Sequence, residues 1–168
     1  VIWLKPHKFI SNNKSFWCTK HPPGICGCCP GNFPHIPYLT SYQKLIGDKV
    51  PIMDKFSFIA HHMMFNKLLV QELCNHIENV HKKYWFEAIL SCCDFNEMSS
   101  FSEYEMYGNW LWKHHADAMK FRLLKWRHIQ CTPSLEALEI YSQQYDFVVA
   151  HWWDRHEHVG GYPVQNHQ

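Results

Sequence analysis

The run Phe147-Val148-Val149-Ala150 has no alternation of apolar and polar side chains, so a strand built from it must be covered on both faces. That demand favours an interior strand of a sheet with helices packed on it. The preceding segments supply helices. Asn66 is placed to cap one that runs to about Val80, with Leu69, Leu73, Ile77 and Val80 along one face. The segment Lys83 to Cys92 predicts a second, grouping Trp85, Ile89 and Cys92 with Phe86 and Leu90 alongside. Ser102 opens a third through His114, and Thr132 and Pro133 start a fourth to about Gln144 with Leu135, Leu138 and Tyr141 inward. A short helix from Pro37 to Ile46 ends before Gly47. Val1 to Leu4, Ser15 to Cys18, Phe56 to Ala60 and Met119 to Trp126 read as strands. The expected class is α/β, a mixed sheet flanked by helices.

Between Lys5 and Tyr38 the chain is interrupted by Pro6, Pro22, Pro23, Gly24, Gly27, Pro30, Gly31, Pro34 and Pro37, which rules out long regular elements there. The 168 residues, 46% of them hydrophobic, suffice for a sizeable core. A net charge of +1 without long runs of either sign gives no electrostatic footprint for nucleic acid. No apolar run reaches the roughly 18–20 residues that span a bilayer, and no leader pattern opens the chain. The 8 cysteines are scattered, adjacent or clustered in one loop, which suits a reducing, cytoplasmic compartment better than a disulfide framework. A start at Val1, inside a strand, suggests a fragment, and residues 152–168 read as an irregular, histidine-rich tail.

Four constellations could carry chemistry. Cys18 and His21, followed by Cys26 and Cys29, have the spacing and donor types of a tetrahedral zinc site, which would make the chain a zinc-stabilised binding module. The alternative is a loop with ordinary thiols. His61 and His62 follow an apolar strand at its turn into a helix, where extended backbone lets at most one of them face a ligand. Ser102 with Glu105 fits a capping box, which gives Glu105 a structural task and leaves Glu103 available in the first turn. His151 directly follows the buried strand, where active-site groups of α/β folds collect. The glycine-rich nucleotide loops, the nucleophile elbow and the H-E-x-x-H zinc helix are all absent from the sequence.

Ser57 to Phe65 (SFIAHHMMF), Trp85 to Leu90 (WFEAIL) and Phe101 to Asn109 (FSEYEMYGN), in that order, resemble a domain-of-unknown-function family with glycosyltransferase-like sequences. The resemblance covers about Val1 to His151. It implies the C-terminal part of a GT-A-like nucleotide-sugar transferase domain over residues 1–151, with the nucleotide-binding part and its Asp-x-Asp motif falling before Val1. The expected partners are a nucleotide-sugar donor and an unidentified acceptor, with a divalent cofactor, manganese or magnesium. The resemblance makes Glu103 and Glu105 catalytic, sets His61, His62, Tyr104 and Asn109 against substrate, and makes His151 a metal ligand. The cysteine-rich loop lies outside the pattern, and its implied metal would be zinc. Without its upstream half the short chain is expected to be inactive and prone to associate.

Overall fold

A computed structural model of the chain describes residues 1–12, 14–18, 36–48, 58–59, 62–97, 100–122, 124–130 and 132–150. In chain order the elements are β1 (Ile2–Trp3), β2 (Ile10–Ser11), β3 (Lys14–Cys18), α1 (Ile36–Ile46), α2 (Lys67–His81), α3 (Trp85–Cys92), α4 (Glu103–His114), a single 3-10 turn (Ala116–Ala118), β4 (Met119–Arg122), β5 (Trp126–Ile129), α5 (Leu135–Gln144) and β6 (Phe147–Ala150). The protein is mixed α/β with two small sheets. It divides into two compact units, residues 9–122 forming one and residues 1–8 with the chain from 123 onward forming the other.

In the second of these units β6 lies between β1, antiparallel to it, and β5, parallel to it. Phe147, Val148 and Val149 are buried, as an unbroken apolar run requires. Phe147 stacks on Trp126 with centroids 5.8 Å apart and meets Trp3 at 4.9 Å. Asp146 ties the strand entrances together: its carbonyl accepts from Leu4 N–H, its carboxylate accepts from Lys125 N–H at 2.8 Å, and its own N–H donates to the Lys125 carbonyl. The link from β5 to β6 runs through α5, as parallel neighbours need a crossover. Ser134, not Thr132, caps α5 by accepting from Ala137 N–H. Leu135, expected inward, is 81% exposed because it occupies the first position of the helix.

The other unit pairs β2 with β3 as a hairpin turned through Asn12, whose φ of 51° is the left-handed conformation asparagine tolerates. The strand β4 runs parallel beside β3, from Ser15 next to Met119 to Cys18 next to Arg122. The alternating stretch expected as one strand from Met119 to Trp126 is therefore two, because β4 joins this sheet while β5 joins the other. Of the strand expected from Phe56 to Ala60 only residues 58–59 are described, and they join no strand among the described residues. Helices α1 to α4 enclose a core to which Tyr42, Leu45, Ile77, Ala88 and Trp110 contribute, and Phe58 is buried within it. Asn66 caps α2 as its position predicts, its Oδ1 accepting from Leu68 N–H. Of the face read on α2, Leu73 and Ile77 are buried, whereas Val80 in the last turn is 44% exposed.

Candidate functional site at the start of helix α4

Ser102 stands in extended backbone just ahead of α4, and its Oγ accepts from Glu105 N–H at 3.3 Å. This is one half of the expected capping box. In place of the reciprocal bond to Ser102 N–H, the Glu105 carboxylate turns inward. Its Oε1 accepts from the Phe58 N–H at 3.1 Å and its Oε2 from Asn109 Nδ2 at 2.8 Å. Asn109 Nδ2 also donates to the Glu105 carbonyl at 2.8 Å, so both amide hydrogens are used. Glu105 and Asn109 are buried, at 6% and 1% exposure. Both carboxylate oxygens of Glu105 and the Nδ2 of Asn109 are thus engaged within the fold, and both residues lie away from solvent.

Two further contacts hold the segment around residues 58–66 against α4. Tyr107 Oη accepts from Asn66 N–H at 3.0 Å. Burial pushes the Tyr107 phenol above its ordinary pKa, and the bond from Asn66 works the other way. Gly108 lies flat against Phe58: a Cβ there would meet Phe58 Cγ at 2.2 Å. The start of α2 and the buried Phe58 are thus positioned by successive residues of one helix. A carboxylate, a phenol and the missing side chain of a glycine fix a segment more than forty residues away in sequence.

What remains open at this end of α4 is a different set of groups. Glu103 is exposed in the first turn. Tyr104 beside it is half-buried, and its phenol is pushed up first by burial and then by the Glu103 charge, so it keeps its proton at neutral pH. The Phe65 ring, 45% exposed, lies 6.3 Å from Tyr104 and 5.0 Å from Tyr107. His62 is half-buried, edge-on to Phe9 at 5.9 Å. An exposed carboxylate, a protonated phenol and an aromatic surface therefore belong to one helix start and the segment pinned to it.

His61, His151, His21, Cys26 and Cys29 lie outside the described residues, as does the side chain of Cys18. Among the described residues no group of three or more histidine, cysteine, aspartate or glutamate side chains is arranged to hold a metal ion. Sequence reasoning singled out Glu103, Glu105, Tyr104 and Asn109 but not Phe65, Tyr107 or Gly108. Gly108, a glycine in the interior of the expected helix, was a signal for close packing, since glycine inside a helix is costly without a reason. No family model, no curated protein and no solved structure matches the chain.

Proposed function

We propose that the chain forms the substrate-facing part of a GT-A-like glycosyltransferase, moving a sugar from a nucleotide-sugar donor to a hydroxyl acceptor, with Glu103 as the carboxylate that meets the acceptor. The observation that supports this reading is the division of the two glutamates: Glu105 is committed to Phe58 N–H and Asn109, while Glu103 is exposed beside Tyr104 and close in sequence to the segment facing Phe65. In such a transfer the acceptor oxygen bonds to the anomeric carbon, the bond from that carbon to the diphosphate breaks, and the acceptor proton passes to a base. A carboxylate in hydrogen-bond reach orients the hydroxyl and takes that proton. A protonated Tyr104 donates to a sugar or acceptor oxygen, and the Phe65 ring supplies an apolar surface for the C–H face of a sugar.

A divalent ion neutralises the departing diphosphate in chemistry of this kind. His151 is the ligand the resemblance implies, and the described residues assemble no donor set for it, so the roles proposed for this chain are those of its own side chains. The test is nucleoside diphosphate release from a panel of nucleotide sugars, with and without manganese, by this chain and by the full-length product of its gene. In whichever is active, Glu103→Gln should lower turnover by about 100-fold or more while leaving the melting temperature in place. Turnover indifferent to Glu103→Gln, or no release of diphosphate by either protein, overturns the reading.

A further inference from the structure

Helix α3 carries an apolar surface that the described residues of its unit leave open. Ala88 is its one fully buried residue, whereas Tyr84, Trp85, Phe86 and Leu90 are 66%, 42%, 46% and 56% exposed. These four are contiguous: the Tyr84 and Phe86 rings stack at 5.6 Å, Trp85 stands edge-on to Phe86 at 5.7 Å, and Leu90 follows Phe86 by one helical turn. Taking about 150–250 Å² for each aromatic side chain and a value near the lower figure for Leu90, those exposures leave roughly 300–500 Å² of open surface. A patch of that size lies within the range of the largest patches on monomers, which are often functional.

We propose that this surface is covered by a second copy of the chain, with the two α3 helices antiparallel about a two-fold axis and Phe86 and Leu90 of each at the centre. Two observations point to a second copy. Patch meeting patch buries about 600–1,000 Å² in total, the size of a weak, reversible interface. The flanking charges are also self-complementary. Lys82 and Lys83, both exposed, precede α3, and Asp94 and Glu97, both exposed, follow it. A two-fold antiparallel arrangement sets the basic end of one helix against the acidic end of the other, while a parallel one sets like against like. The acidic end argues against an anionic membrane surface, which would favour basic residues along the whole polar border.

Sedimentation equilibrium of the purified chain from about 1 to 200 μM should show a reversible monomer–dimer equilibrium with a micromolar dissociation constant. Phe86→Glu should weaken dimerisation by at least about 30-fold with the circular dichroism spectrum unchanged. Leu90→Gln, a milder change on the same face, provides the same readout should Phe86→Glu not fold. Lys83→Glu and Glu97→Lys should each weaken the dimer by about fivefold, and the double variant should recover to within about twofold of the original. A monomer at every concentration, a dimer indifferent to both apolar variants, or a double charge variant no better than the singles overturns the proposal.

Discussion

Glu105 and Glu103 stand two positions apart on one helical turn, yet their surroundings give them unrelated work. Glu105 accepts from two donors, Phe58 N–H at one carboxylate oxygen and Asn109 Nδ2 at the other, a task that requires two acceptor oxygens. Glutamine has one. Whichever way the amide of Glu105→Gln is turned, one of those donors faces an N–H₂ group, so the variant should lose about 1–3 kcal/mol of stability. Chemical denaturation checks this, and an unchanged midpoint would mean that the carboxylate is not shared as described. At Gly108 the expected failure is steric. Gly108→Ala puts a methyl group 2.2 Å from Phe58 Cγ, which should cost about 1–3 kcal/mol, and adding Phe58→Leu should return part of the loss. If the second change deepened the loss instead, the clash would not be the cause.

At the scale of elements, α2 and α4 organise the unit formed by residues 9–122. The carbonyls of Leu45 and Ile46 at the end of α1 lie 3.0 Å from His81 Nε2 and 3.3 Å from His76 Nε2 of α2, satisfying groups that a helix end leaves open. Beside them, Lys113 of α4 pairs with Asp48, and this bond is the main reason the Asp48 carboxyl is held below its ordinary pKa. His114 is also held below its ordinary value, first by desolvation and then by the charges of Lys113, His76 and His115, with Asp48 opposing. A histidine so depressed binds its proton less readily when folded than when unfolded. Its contribution is fully present above about pH 6.5 and is lost as pH falls through the lower folded value. His114→Gln should therefore flatten the decline in melting temperature between about pH 7 and 5. An equally steep decline in the variant would assign the pH dependence to other groups.

The same elements explain what a reader of the sequence could see. The cap at Asn66, the cap at Ser102 and the apolar run at Phe147 are local signals, and each marks an element found within a residue or two of its expected place. The inward turn of Glu105 was not visible. Its partner Phe58 lies 47 positions away, and no spacing rule relates them. Nor could alternation assign β4 and β5 to separate sheets, since a strand's pattern fixes which faces it covers and not which neighbour it pairs with. Glu103 was legible as the first-turn carboxylate left over once Glu105 had a structural task, but the aromatic setting given by Phe65 and Tyr107 came only with the fold.

For the whole molecule, charge balance and histidine content set behaviour in opposite directions across a narrow pH range. With a formal net charge of +1 at pH 7, counting the 14 histidines as neutral, long-range repulsion between molecules is weak, which leaves association to surface patches such as the one proposed on α3. Acidification to about pH 5.5 adds positive charge at many histidines. Static light scattering at low salt should therefore change from net attraction near pH 7.5 to net repulsion near pH 5.5, and about 0.5 M salt should abolish the difference. Scattering that rose on acidification would show that exposure of apolar surface outweighs charge.

The contact between Gly108 and Phe58 also limits how this chain can vary. In a library randomised at both positions and selected for folding, neither residue is free to change by itself: a larger side chain at 108 survives only with a smaller one at 58, and a cavity at 58 survives best when 108 grows to fill it. The pair behaves as a single volume shared between a helix and a segment distant in sequence, so substitution tables that score each site independently will misjudge both.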